Sequence, residues 1–321
     1  AHPELTGRIA DGALPHAGDA FGGDFDGILC TAVLMHLPDT ELLDAALTIR
    51  RLLKPHGRLL LSIPASRSET LMPSDRAGAA ATVQWIISAL NSIEMVTVPW
   101  WFLQGFGGSV AGRSLSSVDP EGAIAQALPA QHIIGCVVHA SCSVDAPGVI
   151  RHHFGDGLIV GEPSGQVTAR VRALHALLQQ AGFNATLSPQ IQKDIWYKLW
   201  GNMTVNPVSA ITAATTDRIL DDELVRGFIS SVMLEAKAIG ERIGIPIAQA
   251  PEDRHAVTRK LGAFKTSMLQ DVQAGKPVEL DALVSAVREL GQLTQVATPF
   301  TDALLGLSRL HARGLGLYPT Q

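Results

Sequence analysis

The chain has 321 residues, of which 46% are hydrophobic and 17% are charged, and its formal net charge is −5. This composition excludes a disordered chain, and the absence of a long Lys/Arg run argues against a nucleic-acid partner. Cys30, Cys136 and Cys142 are too few for a disulfide framework, which favours a reducing, cytoplasmic setting. No apolar run is long enough to span a bilayer, so we expect no membrane association.

The N-terminal third predicts a βαβ unit. Residues 25–34 and 58–64 are short apolar runs typical of buried strands, and the segment between them has helical spacing. The Pro55-His56-Gly57 stretch is predicted to end that helix. Residues 65–82 are small and polar and indicate a linker. We therefore expect residues 1–82 to form an incomplete Rossmann-like α/β region with a parallel strand pair.

The rest of the chain divides again near Ser164. Residues 133–144 and 157–163 are predicted strands joined by a turn at 146–148. Residues 83–163 are interpreted as the remnant of a dinucleotide-binding domain with connecting strands. Every later segment has helical spacing, including 254–275, 278–296 and a last helix from Pro299 to Arg313. Residues 164–321 are therefore predicted to be an all-α domain.

A polar stripe interrupts the apolar helix predicted over residues 193–212. Lys198, Asn202 and Asn206 recur every fourth residue, which places them on one slowly drifting face of the helix. A largely buried helix retains a cation and two amides only if protein, water or a ligand satisfies their hydrogen bonds. The simpler explanation is that Lys198 extends to solvent and that Asn206, just before Pro207, ends a helix turn.

A second segment supplies a hydroxyl and a carboxylate. Ser267 and Glu279 lie twelve positions apart across a Gly275-Lys276-Pro277 break. We expect Ser267 on the last turns of one helix and Glu279 on the first turn of the next, where a helical hairpin brings both to one cleft. The simpler role for Glu279 is stabilisation of a helix N-terminus, worth about 0.3–1 kcal/mol. A lysine, a carboxylate and small hydrogen-bonding groups suit a polar carbonyl substrate.

These motifs resemble the C-terminal domain of the ketopantoate reductases (2-dehydropantoate 2-reductases). The resemblance covers about residues 98–321 and includes PWWFLQG, IIGCVVHASCSVDAPGVIRH, the GEP turn, KLWGNMTVNPVSAIT and SMLQD. It implies a C-terminal domain like that of 6-phosphogluconate dehydrogenase, and NADPH as the hydride donor. It also implies that Lys198 is the general acid. Asn202, Asn206, Ser267 and Glu279 would then orient a hydroxylated keto acid.

Two departures from the family pattern concern the cofactor and the substrate. Family members open with a GxGxxG turn that holds the pyrophosphate of NADPH, and this chain has none. The glycines of the 105–108 stretch come too late in the chain and are interpreted as a plain loop. The family also carries a substrate-contacting Asn-Gly pair before the Pro-Trp-Trp segment, where this chain has Val96 and Thr97.

Residues 1–70 resemble a different family, the class I S-adenosylmethionine methyltransferases. The segments GRIADGALP, FDGILCTAVLMHLPD and RRLLKPHGRLLLSIP are similar to the second half of that fold. Asp11 would lie near the adenine, but the glycine turn that binds the methionine moiety is missing. His36 is more consistent with a packed or solvated residue than with a catalytic base. The chain begins with Ala, and we expect it to be processed or a fragment.

Three functions of different classes therefore remain open. The first is NADPH-dependent reduction of a 2-keto acid such as 2-dehydropantoate to pantoate. The second is methylation of a small molecule, and the third is a non-catalytic fusion or fragment that keeps the helical fold. The fold class expected in each case is a partial Rossmann-type α/β region followed by an all-α domain. Apolar helices in the last hundred residues favour a homodimer. No metal site is predicted.

Overall fold

The structure of the chain is a computed structural model that describes residues 25–31, 48, 53–62, 97–146, 149–180 and 182–320. These residues fall into two compact units. The sheet unit comprises Ala1–Met95 and Gln126–Pro189, and the helical unit comprises Val96–Ala125 and Gln190–Gln321. Asp11, His36 and the linker at 65–82 lie outside the described residues, as does most of the helix predicted between the first two strands.

A parallel strand pair opens the sheet unit. Strand β1 (Phe25–Thr31) pairs in parallel with β2 (Leu53–Ser62), with Ile28 opposite Leu59. The parallel arrangement predicted for this region is therefore confirmed. The second strand begins five residues earlier than expected and includes the Pro55-His56-Gly57 stretch, which was predicted to end a helix. The prediction that this stretch lies at a helix end was wrong.

A three-stranded sheet follows. Strands β3 (Gly135–Ala146) and β4 (Val149–Gly161) are antiparallel, as their predicted short connection requires, and β5 (Asn184–Leu187) pairs in parallel with β4. Helix α2 (Ala169–Gln180) packs on this sheet. A small apolar core lies between them, formed by Ile134, Cys136, Val160, Val171, Leu178 and Ala185. The sequence analysis expected only helix after residue 164 and did not predict β5, because four residues are too few to show a period.

A buried ion pair fastens α2 to this sheet region. Glu162 is only 3% exposed, and Arg170 Nε donates to its Oε1 at 2.7 Å while Arg170 Nη2 pairs with its other oxygen. Arg170 also donates to the carbonyl oxygens of Gln131 and Ile133, at 2.5 and 2.8 Å. The hydrogen bond to Glu162 raises the pKa of Arg170. Both charged partners are thus satisfied within the sheet unit.

The helical unit is built around one long central helix. A short helix, α1 (Ala123–Ala127), precedes β3. The further helices are α3 (Ile191–Thr212), α4 (Thr216–Asp221), α5 (Glu223–Arg242), α6 (Pro251–Arg259), α7 (Ser267–Gln273), α8 (Ala286–Thr294) and α9 (Pro299–Gly314), with a π-helical turn at Asp281–Ser285. Helix α3 packs against α4, α5, α7, α9 and the π-helical turn. The predicted helical C-terminal region is confirmed. Among the described residues, no helix is long and apolar enough to cross a membrane.

The segment expected to be helical over residues 254–275 contains two helices. Helix α6 ends at Arg259 and α7 begins at Ser267. Gly262 adopts a left-handed backbone conformation (φ 62°), which an α-helix cannot continue through. The Thr266 side chain then accepts a hydrogen bond from the backbone N–H of Leu269 at 3.2 Å and starts α7. The expectation of unbroken helix was therefore wrong at this point.

Two tryptophans on α3 hold this helix in the core of the unit. Trp196 and Trp200 are each 1% exposed, and Trp200 Nε1 donates to the backbone oxygen of Met233 on α5 at 2.7 Å. Helix α5 packs closely against α3 because its residue 240 is a glycine, which has no side chain to hold the two helices apart. A Cβ placed there would lie 2.6 Å from Trp196 Nε1. The 97–125 segment packs on the same core, where Phe102 meets Trp196 with ring centroids 6.0 Å apart.

Candidate active site

The polar stripe on α3 forms as the spacing predicts. Lys198, Asn202 and Asn206 are half-buried, whereas Leu199 and Trp200 between them are fully buried. The rise of an α-helix spreads the three side chains over about 12 Å along the axis. Helix α3 continues through Pro207 to Thr212, so Asn206 lies inside the helix and does not end it. The three polar side chains therefore lie along one side of a mostly apolar helix, one on each successive turn.

Ser267 contacts this polar stripe through Asn206. The Asn206 amide nitrogen donates to Ser267 Oγ at 3.5 Å, a long hydrogen bond that spans 61 positions of sequence. Helix α7, on which Ser267 lies, packs along α3. Ser267 is the first residue of α7, however, and the expectation that it lies on the last turns of a helix was wrong. Its hydroxyl therefore lies at the start of a helix, beside the α3 amides.

Glu279 lies just before the π-helical turn, between two buried residues. Val278 and Leu280 are 7% and 1% exposed, and they anchor the backbone on both sides of the carboxylate. Burial raises the pKa of Glu279, and the neighbouring charge of Asp271 raises it further. The π-helical turn that follows packs on α3, like α7. The carboxyl group is therefore mostly buried, within electrostatic reach of Asp271.

Asp271 is a site residue that the sequence analysis missed. It follows Ser267 by four positions on α7, so both side chains lie on one face of that helix. Burial raises the pKa of Asp271, while the charge of Lys276 lowers it. The i, i+4 spacing inside SMLQD was a signal for it. Asp271 thus lies on the same helix face as Ser267, which Asn206 contacts, and its charge also acts on Glu279.

The glycines that follow the Trp pair do not form a phosphate cradle. They lead into a single 3₁₀ turn, Gly108–Val110, and a Cβ on Gly107 would lie 2.8 Å from the Leu103 side chain. Gly107 therefore serves local packing, as expected of a plain loop. In the described ranges, no glycine-rich turn joins a strand to a helix. Nor do they contain three His, Cys, Asp or Glu side chains grouped to hold a metal.

Comparisons with protein families and with curated proteins both find ketopantoate reductases (2-dehydropantoate 2-reductases). Residues 190–312 match the model of the ketopantoate reductase PanE/ApbA C-terminal domain. A 2-dehydropantoate 2-reductase of Mesorhizobium japonicum is 46% identical over 69% of this chain and 68% of its own length. One of Halobacterium salinarum is 24% identical over 59% of this chain and 63% of its own length. The chain thus spans about two thirds of the length of these curated relatives.

Solved structures show the same relationship. A structure from Ralstonia solanacearum assigned as a ketopantoate reductase shares 50% identity with a TM-score of 0.72, covering 81% of this chain and 78% of that one. The 2-dehydropantoate 2-reductase of Methylococcus capsulatus is 25% identical, with a TM-score of 0.63, covering 82% and 76%. D-mandelate dehydrogenase, 17% identical with a TM-score of 0.62 over 80% of this chain and 77% of that one, shows the shared fold alone.

The fold and these relatives first indicate the class of protein, which is an oxidoreductase with an all-helical C-terminal region. Within that class, the chain belongs to the ketopantoate reductase family. The predicted resemblance is confirmed, and so is NADPH as the cofactor of the family. The methyltransferase alternative receives no support from these comparisons.

Proposed function

We propose that Lys198 is the proton donor when this chain reduces the keto group of a branched 2-keto acid such as 2-dehydropantoate. The observation that supports the proposal is the stripe that carries Lys198 on α3, which meets Ser267 on α7 through the Asn206 hydrogen bond. NADPH, when bound, supplies the hydride. The ammonium of Lys198 then gives a proton to the alkoxide oxygen that forms at C2.

The other polar groups hold the substrate. Asn202, Asn206 and Ser267 offer both donors and acceptors, which suits the hydroxyl and carboxylate groups of a hydroxylated keto acid. Glu279, whose pKa is raised by burial and by Asp271, retains its proton to a higher pH than an exposed glutamic acid. A protonated Glu279 donates a hydrogen bond to a substrate oxygen. A carboxylate at this position would repel the acidic substrate.

Replacement of Lys198 tests the proposal. We expect Lys198→Ala to lower kcat about 10²–10³-fold, followed through the absorbance of the reduced nicotinamide, because general-acid catalysis contributes this much. The matched control is Lys193→Ala, since Lys193 lies on the same helix and is exposed. Its kcat should stay within about twofold of that of the unchanged chain. A Lys198→Ala variant that keeps full turnover would contradict the assignment.

Glu279 gives a second, chemically distinct test. Glu279→Gln keeps a hydrogen-bond donor without a charge, whereas Glu279→Ala removes the donor. We expect Glu279→Gln to keep KM within about threefold, and Glu279→Ala to raise KM about tenfold or more. Equal KM values for the two variants would show that the carboxyl group makes no such bond. Calorimetry with NADPH should be done in parallel, because a chain that binds no NADPH is the non-catalytic fragment and not a reductase.

The proposal also concerns self-association, for which the exposed apolar side chains of α5 and α9 are the relevant feature. Helices α5 and α9 carry five exposed or half-buried apolar side chains, and two of them, Phe228 and Phe300, are in edge-to-face contact with ring centroids 6.2 Å apart. The most exposed members are Leu224 at 79%, Leu307 at 59% and Leu310 at 71%. We propose that these five side chains form one apolar patch, which joins two copies of the chain as a cytoplasmic homodimer. A ketopantoate reductase of Staphylococcus aureus, which shares the fold at 17% identity and a TM-score of 0.58, is dimeric.

Light scattering during size-exclusion chromatography tests the dimer. Leu310→Glu should convert a dimer to a monomer, because it would place a charge in a desolvated contact. Leu177→Glu is the control, since Leu177 is 60% exposed on α2 of the sheet unit and lies outside the patch. A chain that is monomeric before any substitution would contradict the homodimer.

A further inference from the structure

Arg254 on α6 is held against the helix that carries Lys198. The edge of its guanidinium faces Gly201, because a Cβ placed on Gly201 would lie 2.7 Å from Nε, 2.8 Å from Nη2 and 3.1 Å from Cζ. Its Cζ also lies 5.6 Å from the centre of the Tyr197 ring, within the range of a cation–π contact. Gly201 thus makes a notch in α3 that only a residue without a side chain can provide.

This guanidinium has no carboxylate partner among the described residues. Arg170, Arg259 and Arg288, by contrast, each pair with a carboxylate. Arg254 Nε is buried and has no hydrogen-bond acceptor in the described part of the chain. Burial lowers the pKa of Arg254, and only Tyr197 opposes that effect. A partly buried cation without a carboxylate partner destabilises a fold, so its presence beside the helix that carries Lys198 calls for a functional explanation.

The position of this charge relative to Lys198 follows from helix geometry. Gly201 comes three residues after Lys198 and Tyr197 comes directly before it, so both contacts of Arg254 flank the lysine. Side chains three residues apart on a helix have Cβ atoms about 5–6 Å from each other. The guanidinium lies within contact distance of the Gly201 notch, and it is therefore about 10 Å or less from the stem of Lys198.

We propose that Arg254 is a positioning residue for the reduction and that it acts through Lys198. The inference depends on the proposed function, in which Lys198 gives its proton to the alkoxide. Two positive charges in a poorly solvated region repel each other, and the repulsion ends when one of them loses its proton. Arg254 cannot lose its proton near neutral pH. The repulsion therefore makes Lys198 the stronger acid, which speeds proton transfer to the alkoxide oxygen and leaves a neutral amine.

Several charged groups on the elements packed against α3 are engaged elsewhere. Glu235 on α5 accepts from the first backbone N–H groups of α9, Asp281 accepts from Tyr318 and Ser285, and Asp217 on α4 accepts from Thr215. Among the cations, Lys237 on α5 donates to the backbone oxygen of Gln249.

Other titratable groups also lie near this part of α3. Asp194 lies one turn before Lys198 on α3, and Asp271 and Glu279 belong to the substrate site. On α6, His255 lies beside Arg254. Arg254 is therefore the group whose removal changes the positive charge at the Gly201 notch.

The pH dependence of kcat tests the proposal. A general acid must be protonated, so activity falls as the pH rises through its pKa. We expect Arg254→Met to move this alkaline limb up by about one pH unit, because the repelling charge is gone. At neutral pH, kcat should fall about threefold to tenfold while KM changes less than about twofold. Arg254→Lys keeps the charge and should restore most of the original limb.

Two further variants keep the test decisive. Arg242→Met removes an exposed arginine from the end of α5 and should leave the limb unchanged. Arg254→Gln, neutral and polar, carries the same expectation as Arg254→Met if the methionine variant does not fold. An unmoved limb in the neutral variants, with Lys198→Ala still inactive, overturns the inference and leaves the proposed function intact. Full activity in Lys198→Ala overturns the proposed function itself.

Discussion

Arg170 in the sheet unit and Arg254 in the helical unit are both partly buried, but their surroundings differ. Arg170 donates to a buried glutamate and to two backbone oxygens, and its pKa is raised. Arg254 contacts a glycine notch and a tyrosine ring, and its pKa is lowered. The first arrangement is what structural stability requires. The second is unfavourable by itself, and such groups cluster where chemistry needs them.

The largest effect is expected when Arg170 loses its partner. Glu162→Ala leaves a partly buried guanidinium without its carboxylate and should lower the free energy of unfolding of the sheet unit by about 2–4 kcal/mol. Amide hydrogen exchange of β3, β4 and β5 measures this loss. Arg288→Ala breaks the exposed pair with Asp302 and should cost less than about 1 kcal/mol. Equal losses of unfolding free energy in the two variants would show that the Glu162–Arg170 pair stabilises the chain no more than an exposed ion pair does.

A methyl group at Gly201 should have the next largest effect. In Gly201→Ala the new Cβ meets the Arg254 guanidinium, which must move, so we expect a loss of about 1–3 kcal/mol and a lower kcat. Gly227→Ala on α5 is the control, because no atom lies within 4 Å of its added Cβ. It should gain up to about 1 kcal/mol from helix propensity. Tryptophan fluorescence measures both variants, since Trp196 and Trp200 belong to the helical unit.

Matched removal of the two arginines sharpens the comparison. Arg170→Met leaves Glu162 buried without a cation and should destabilise the chain by about 2 kcal/mol. Arg254→Met leaves no carboxylate unpaired, so its free energy of unfolding should be unchanged or higher by up to about 1 kcal/mol, although its activity falls. Urea unfolding of the two variants side by side gives the answer. A large loss of stability in Arg254→Met would mean that this arginine is structural.

The smallest effect concerns His255, the neighbour of Arg254. This histidine is 4% exposed, its Nε2 lies 2.9 Å from Ser230 Oγ, and burial lowers its pKa below the ordinary value of 6.5. The unfolded chain therefore binds a proton first as the pH falls through about 6.5, and the stability present above that pH declines. We expect a loss of up to about 1 kcal/mol between pH 7 and pH 5.5. His255→Gln should flatten the profile. An identical profile in this variant would remove His255 as the cause.

Much of the fold was accessible from local patterns. The helical periods predicted the long helix around Lys198 and the last helix from Pro299, which ends one residue later than expected, at Gly314. The apolar runs predicted the β1–β2 pair. The predictions failed where the structure depends on an element of only a few residues or on the backbone conformation of a single residue. Strand β5 has four residues, and the break between α6 and α7 depends on Gly262 and the Thr266 cap.

By itself, the amino-acid order determined which face of α3 is polar, because residues four apart on a helix share a face wherever the helix packs. It also indicated the family through the motifs around Lys198, Ser267 and Glu279. Only the tertiary structure decided that Asn206 meets Ser267 and that Asp271 raises the pKa of Glu279. Likewise, only the tertiary structure showed that the Arg254 guanidinium packs against Gly201. Such contacts join residues far apart in the chain, and their energies depend on burial and distance, which exist only once the helices have packed.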